Sequence, residues 1–217
     1  MKKYDIIAFD LDGTLSDPKE GLVSGFVYAF KKAGIKYGDR EALCRFIGPP
    51  IHKVWQEEFG VSYDEASKLV DDFREYYTVY GWWDNVMYDG IPELLSALKQ
   101  SGKKIILTTS KPEEQAIKIL NLFDISKYFD VIAGAINDKI REKKHEVIEY
   151  ALEQLGAVDK SRVILVGDRK YDSEGAKIVG IDCLGVLYGH GSREEIEAAD
   201  FTYTANTVCD VKNMLIF

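Results

Sequence analysis

Two aspartates stand one residue apart in AFDLDGT, residues 8 to 14, where an apolar run gives way to Gly13 and Thr14. Ionised carboxylates this close repel each other, and burying them is costly unless a positive group compensates. A second acidic pair, Asp168 and Asp172, follows the apolar run VILVG in GDRKYD. Between the two pairs lie Thr108, Thr109, Ser110 and Lys111, after KKIIL, and then Lys143 and Lys144. Acids, hydroxyls and a lysine gathered in one place suit a divalent metal together with a phosphate. Mg²⁺ prefers about six oxygen ligands and usually keeps several waters, so two or three carboxylates plus a substrate phosphate are enough. Asp10 and Asp168 are the candidates to supply them, and such an ion answers the repulsion between the paired acids.

The reaction that fits is hydrolysis of a phosphate monoester, a very slow process unaided. It can be split through an aspartyl-phosphate formed on a carboxylate nucleophile. A second carboxylate then protonates the leaving alcohol and later activates water. Asp10 fits the nucleophile and Asp12 the acid and base. Thr109, or its neighbour Thr108, can hold phosphate oxygens with the backbone amide that follows. Lys143 or Lys144 can neutralise developing charge.

These residues need a scaffold that brings them to one edge. Five apolar runs recur, at 6–9, 104–107, 131–136, 163–167 and 184–189. They are near-continuous rather than alternating, as expected of strands buried on both faces of a parallel sheet. Helical patterns over 92–102, 113–123, 143–156 and 172–180 separate most of them, so the fold class expected is α/β. In such sheets ligands bind at the carboxyl ends of the strands, where every candidate falls. From Ser16 to about Met87 no buried strand is legible. Apolar residues at helical spacing over 22–34, and a capping-box pair Ser62 and Glu65 opening 62–81, predict an inserted helical module. The expected organisation is a core domain from 1–15 and 88–217, with a helical cap domain from 16–87.

DLDGT, TTSK, a downstream lysine and GDRKYD resemble the four motifs of the haloacid dehalogenase superfamily, and the match spans the chain. The resemblance implies a Rossmann-like parallel sheet core with an inserted α-helical cap. It implies Mg²⁺ dependence, Asp10 as nucleophile, Asp12 as acid and base, and a metal held by Asp10, the Asp12 backbone carbonyl and Asp168. Asp172 is then a supporting acid. Matching the family pattern favours Thr109, with Ser110, for the phosphate contacts. It also favours Lys144, with Lys143 as the fallback, although His145 stands where the family usually has proline. FIGPP, YDGIPELL and TSKP look most like phosphoglycolate phosphatase-type and nucleotidase-like members of the helical-cap subgroup. Arg45, Gly48, Pro49 and Lys111 are the specificity candidates.

A formal charge of −8 among 217 residues argues against nucleic acid or an anionic membrane as the main partner. The expected partner is a small phosphorylated metabolite, phosphoglycolate first, then a nucleoside monophosphate or sugar phosphate, met by a monomer or homodimer. Three cysteines without metal-ligand spacing and no apolar stretch of membrane-spanning length predict a cytoplasmic protein with reduced thiols.

Overall fold

The computed structural model describes residues 2–48, 51–136 and 141–216. The chain divides into two compact units, Met1–Asp17 with Met87–Phe217, and Pro18–Val86.

The first unit is a six-stranded sheet flanked by helices. Its strands are β1 (Ile6–Phe9), β4 (Lys104–Pro112), β5 (Val131–Ala135), β6 (Val163–Gly167), β7 (Asp182–Val186) and β8 (Tyr203–Ala205). The spatial order is β5-β4-β1-β6-β7-β8, with every neighbouring pair parallel. This is the Rossmann-like α/β core that the apolar runs predict. Ile6, Ala8, Ile106, Val163 and Leu165 pack against Val147, Ile148, Ala151 and Leu152 of α6 (Lys144–Leu155). Ala176 and Val179 of α7 (Lys170–Val179) join the same cluster. Burying the valine, leucine and isoleucine side chains among these contributes about 1.5–3 kcal/mol each, which fixes both helices on the sheet. α4 (Ile91–Gln100), α5 (Glu113–Leu122), α8 (Arg193–Ala198) and α9 (Val208–Ile216) complete the unit.

The sheet departs from the expected runs in two places. The run 184–189 leaves the sheet after Val186, because Tyr188 turns its ring edge-on to Tyr88 and its hydroxyl to the Thr14 carbonyl. The sixth strand, β8, carries no apolar run and has only Ala205 buried.

The second unit contains α1 (Lys19–Ala33), α2 (Ile51–Phe59) and α3 (Tyr63–Tyr76). Phe26, Phe30 and Phe46 close around Trp55 and Phe73, with Phe30 and Trp55 ring centroids 5.0 Å apart. Ser62 and Glu65 form the capping box that opens α3. The helical run continues beyond α3 as a widened π turn over Tyr77–Gly81. Here α1 crosses closely: a methyl group on Gly21 would lie 2.0 Å from the Gly81 carbonyl oxygen. Two short strands, β2 (Ser16–Asp17) and β3 (Val86–Met87), pair with each other. Among the described residues no helix is long and apolar enough to cross a membrane.

Candidate active site

The strand order explains why the candidates meet. From β1 the chain goes to β4 and β5 on one side, then returns to β6 on the other, so the order reverses at β1. The register sets Phe9 between Leu107 and Val166. Asp10, Thr108 and Gly167 follow them one step on, at the carboxyl edge. The Asp10 N–H donates to the Val166 carbonyl at 2.9 Å, extending the pairing into the first acidic loop.

Beyond this edge a buried charge cluster forms. Carboxylate oxygens of Asp10, Asp168 and Asp172 all lie within 4.8 Å of one another. Lys144, entering from the first turn of α6, donates to Asp10 Oδ1 at 2.8 Å and pairs with Asp172 Oδ1 at 2.6 Å. Burial alone would push its ammonium down, but the charges of Asp10 and Asp172 outweigh that and hold its pKa above the usual lysine value. Lys143 is exposed on the neighbouring position. Asp172 accepts the Arg169 N–H at 3.0 Å, so it caps α7 while it faces Lys144. Asp168 is fully buried. Burial first, then the charges of Asp172 and Asp10, push its pKa up to about 7. The same burial raises Asp172.

Asp12 faces the other way. Its Oδ2 accepts from Lys111 Nζ at 2.6 Å, and among the described residues its buried Oδ1 has no hydrogen-bond partner. Lys111 is itself buried, and its backbone N–H donates to Thr109 Oγ1 at 3.2 Å. Thr109 is buried and Ser110 exposed. Thr108 is fully buried, and its hydroxyl has no partner among the described residues. Lys111, expected as a specificity residue, therefore sits against Asp12. In the helical unit, Arg45 pairs with Glu58 and lies over the Phe46 ring, and Gly48 is exposed with a φ of 100°. Pro49 lies outside the described residues.

Between the two acids of the first loop and Asp168 stands Gly13. Its φ is 81°, and a Cβ there would lie 2.1 Å from Asp168 Oδ2. Gly13→Ala is expected to cost about 1–2 kcal/mol in backbone strain alone, with a further loss from the displaced carboxylate. Thermal unfolding should show a melting temperature lowered by roughly 2–8 °C.

The strand-end rule, applied to the fifth apolar run, points to residues that reading by motif missed. Tyr188, Gly189, His190 and Gly191 follow β7 and touch both acidic loops. The His190 N–H donates to Asp168 Oδ2 at 2.8 Å, and Tyr188 donates to the Thr14 carbonyl at 3.0 Å. The signal was available in the glycines flanking His190 at a strand end.

The donor set fits a hard divalent cation. Three buried or nearly buried carboxylates lie together, only Asp10 and Asp172 of them paired with the Lys144 ammonium, and the donor atoms they offer are all oxygens. The chain belongs to the haloacid dehalogenase-like hydrolase family, whose profile matches residues 7–186. Within that family it is a phosphoric monoester hydrolase. It is 36% identical over 213 residues to a protein from Pseudomonas aeruginosa named 5'-nucleotidase, covering 98% of this chain and 96% of that protein. It is also 36% identical over 212 residues to a Mycobacterium tuberculosis protein named tyrosine-protein kinase PtkA, covering 97% of this chain and 72% of that protein. Among solved structures, a predicted phosphatase from Clostridium acetobutylicum matches with a TM-score of 0.93 and 36% identity, covering 99% of each chain.

Proposed function

We propose that this enzyme is a Mg²⁺-dependent phosphatase that hydrolyses a small phosphate monoester through an aspartyl-phosphate on Asp10. The observation that carries the reading is the buried cluster of Asp10, Asp168 and Asp172, with Lys144 paired to Asp10 and Asp172, beside an Asp12 held separately by Lys111. The cluster separates the two carboxylates of the first loop, which is what a nucleophile and an acid–base group require.

In the first half-reaction an Asp10 oxygen forms a bond to phosphorus as the ester P–O bond breaks, and Asp12 gives its proton to the leaving alkoxide. In the second, water attacks phosphorus, Asp12 takes its proton, and Asp10 leaves as carboxylate. Lys144 holds the attacking carboxylate in place and balances its charge. Thr109, Ser110 and the backbone amides beside them take up phosphate oxygens. Asp10, Asp168 and the Asp12 backbone carbonyl would hold Mg²⁺, with Asp172 orienting Lys144. When bound, the ion supplies charge stabilisation for the transferring phosphoryl group. Asp12→Asn is expected to lower kcat by about 10²–10⁴, the usual worth of a positioned acid–base group, while KM changes little in steady-state assays.

The domain reading belongs to the same proposal: residues 16–87 act as a helical cap that selects the substrate, with Arg45, Gly48 and Pro49 as its specificity candidates. The motif resemblance favours phosphoglycolate. The nucleotidase-named relative supports a nucleoside monophosphate as the next choice. Phosphate release from phosphoglycolate, nucleoside monophosphates, sugar phosphates and phosphotyrosine, with Mg²⁺ and with chelator, tests the reading. Turnover confined to the Mg²⁺ arm supports it, and the preferred ester names the substrate class. Turnover that survives chelation contradicts the metal assignment, and phosphotyrosine as the preferred ester contradicts the small-metabolite assignment.

A further inference from the structure

Among the described residues Lys144 pairs with Asp10 and Asp172 and Lys111 with Asp12, and neither lysine pairs with Asp168. Its position must be fixed by other means. Its Oδ1 has only a long contact with Thr14 Oγ1, at 3.5 Å. Its Oδ2 accepts the His190 N–H at 2.8 Å. We propose that the segment from Tyr188 to Glu195 is a clasp that positions Asp168 for the cation, engaging one carboxylate oxygen and leaving the other to be shared. The proposal rests on the metal reading given above.

Three observations converge on it. The clasp approaches Asp168 so closely that only glycine fits. A Cβ on Gly189 would lie 2.4 Å from Asp168 Cβ and 2.3 Å from the Gly13 carbonyl oxygen, and one on Gly191 would lie 1.9 Å from the Asp168 carbonyl oxygen. Neither glycine has a positive φ, so their use here answers to space rather than to backbone conformation. The clasp also grips both acidic loops. Tyr188 donates to the Thr14 carbonyl, and the His190 ring stands 3.3 Å from Asp17 Oδ1 on the first side. On the other, Glu195 accepts from Arg169 Nε at 2.9 Å and from the Lys170 N–H at 2.9 Å. Finally, Ser192 caps α8 by accepting the Glu195 N–H, which fixes Glu195 relative to the turn. A carboxylate with one oxygen engaged by a fixed backbone donor has one orientation left, the kind of outer support that sharpens metal affinity.

The test is Mn²⁺ binding to the substrate-free enzyme, read from the electron paramagnetic resonance signal of the free ion. Melting temperature without metal is recorded in parallel. Wild type is expected to bind and Asp168→Asn to lose binding. Gly191→Ala is expected to weaken binding by about 10- to 100-fold, the usual cost of losing an outer-shell partner, while KM for substrate at saturating metal changes far less. His190→Ala keeps the backbone donor and is expected to shift affinity less than Gly191→Ala. Glu195→Ala loosens the clasp without a collision and is expected to weaken binding in the same direction; it decides the matter if Gly191→Ala does not fold. Wild-type affinity in a folded Gly191→Ala, or in Glu195→Ala when that variant has to decide, overturns the clasp and leaves the metal reading standing. A wild type that binds no Mn²⁺ overturns both.

Discussion

Replacing Asp10 by Asn is expected to lower phosphate release by about 10⁵ or more, the scale on which removal of an attacking group acts. The change is nearly isosteric, so the loss cannot be ascribed to a hole in the site. An amide oxygen is a poor nucleophile, and no neighbouring carboxylate is placed to substitute. Asp12 is turned toward Lys111, while Asp168 and Asp172 are buried and engaged by the His190 amide and by Lys144. The variant should remain folded, because Lys144 keeps its 2.6 Å partner in Asp172. Steady-state kinetics with a far-ultraviolet circular dichroism control checks both halves. Activity within about tenfold of wild type would assign the attack to water or to another group.

Lys144→Ala is expected to be damaging in two ways at once. Lys144 is the cation that pairs with both Asp10 and Asp172. Removing one partner of a buried ionic network typically costs about 3–5 kcal/mol, because uncompensated charge stays behind. Denaturant titration should therefore show a clearly lower midpoint at neutral pH, with little change in slope. Loss of the charge opposite the transferring phosphoryl group should lower kcat by a further, separate factor of about 10²–10³, as for removal of one electrostatic donor. Mg²⁺ should restore part of the stability, since a cation among the carboxylates replaces some of the missing charge. Lys143→Ala provides the contrast. That side chain is exposed and outside the acid cluster, so its loss is expected to leave stability within about 0.5 kcal/mol.

The contrast between these two lysines also shows what a sequence can and cannot convey. KK before a helix offers two equal charges, and only the helical phase of α6 against the sheet decides which turns inward. The central strands were legible for a simple reason: a parallel strand covered on both faces must be apolar throughout, as IIAF and VILVG are. Strand β8 was not, because an edge strand of three residues with a single buried side chain leaves no such imprint. The run 184–189 misled in the opposite sense. Tyr188 is apolar enough to continue a strand pattern, yet it packs on Tyr88 in a loop, and hydropathy does not distinguish these uses. The π turn over Tyr77–Gly81 was likewise read as ordinary helix, since the close approach of Gly21 to Gly81 depends on a contact some 60 residues away in sequence.

For the site, residue types named the chemistry and spacing named the strand ends, but partnerships were hidden. TTSK suggested phosphate and substrate contacts, and nothing in it revealed that Lys111 would pair with Asp12 at 2.6 Å. GDRKYD suggested metal binding, whereas the structure divides its acids: Asp172 caps a helix and faces Lys144, and Asp168 is engaged by the turn after β7. Such pairings depend on the order of strands in the sheet, which only the folded chain specifies.

The central claim is the covalent intermediate on Asp10, and chemical trapping tests it most directly. The enzyme would be acid-quenched during turnover of its preferred ester with Mg²⁺, reduced with borohydride, and mapped by tandem mass spectrometry. An aspartyl-phosphate is reduced to homoserine, so the account predicts homoserine at position 10, absent when metal is chelated and absent from Asp10→Asn. Homoserine at another aspartate, or an unmodified Asp10 under conditions of rapid turnover, would contradict it.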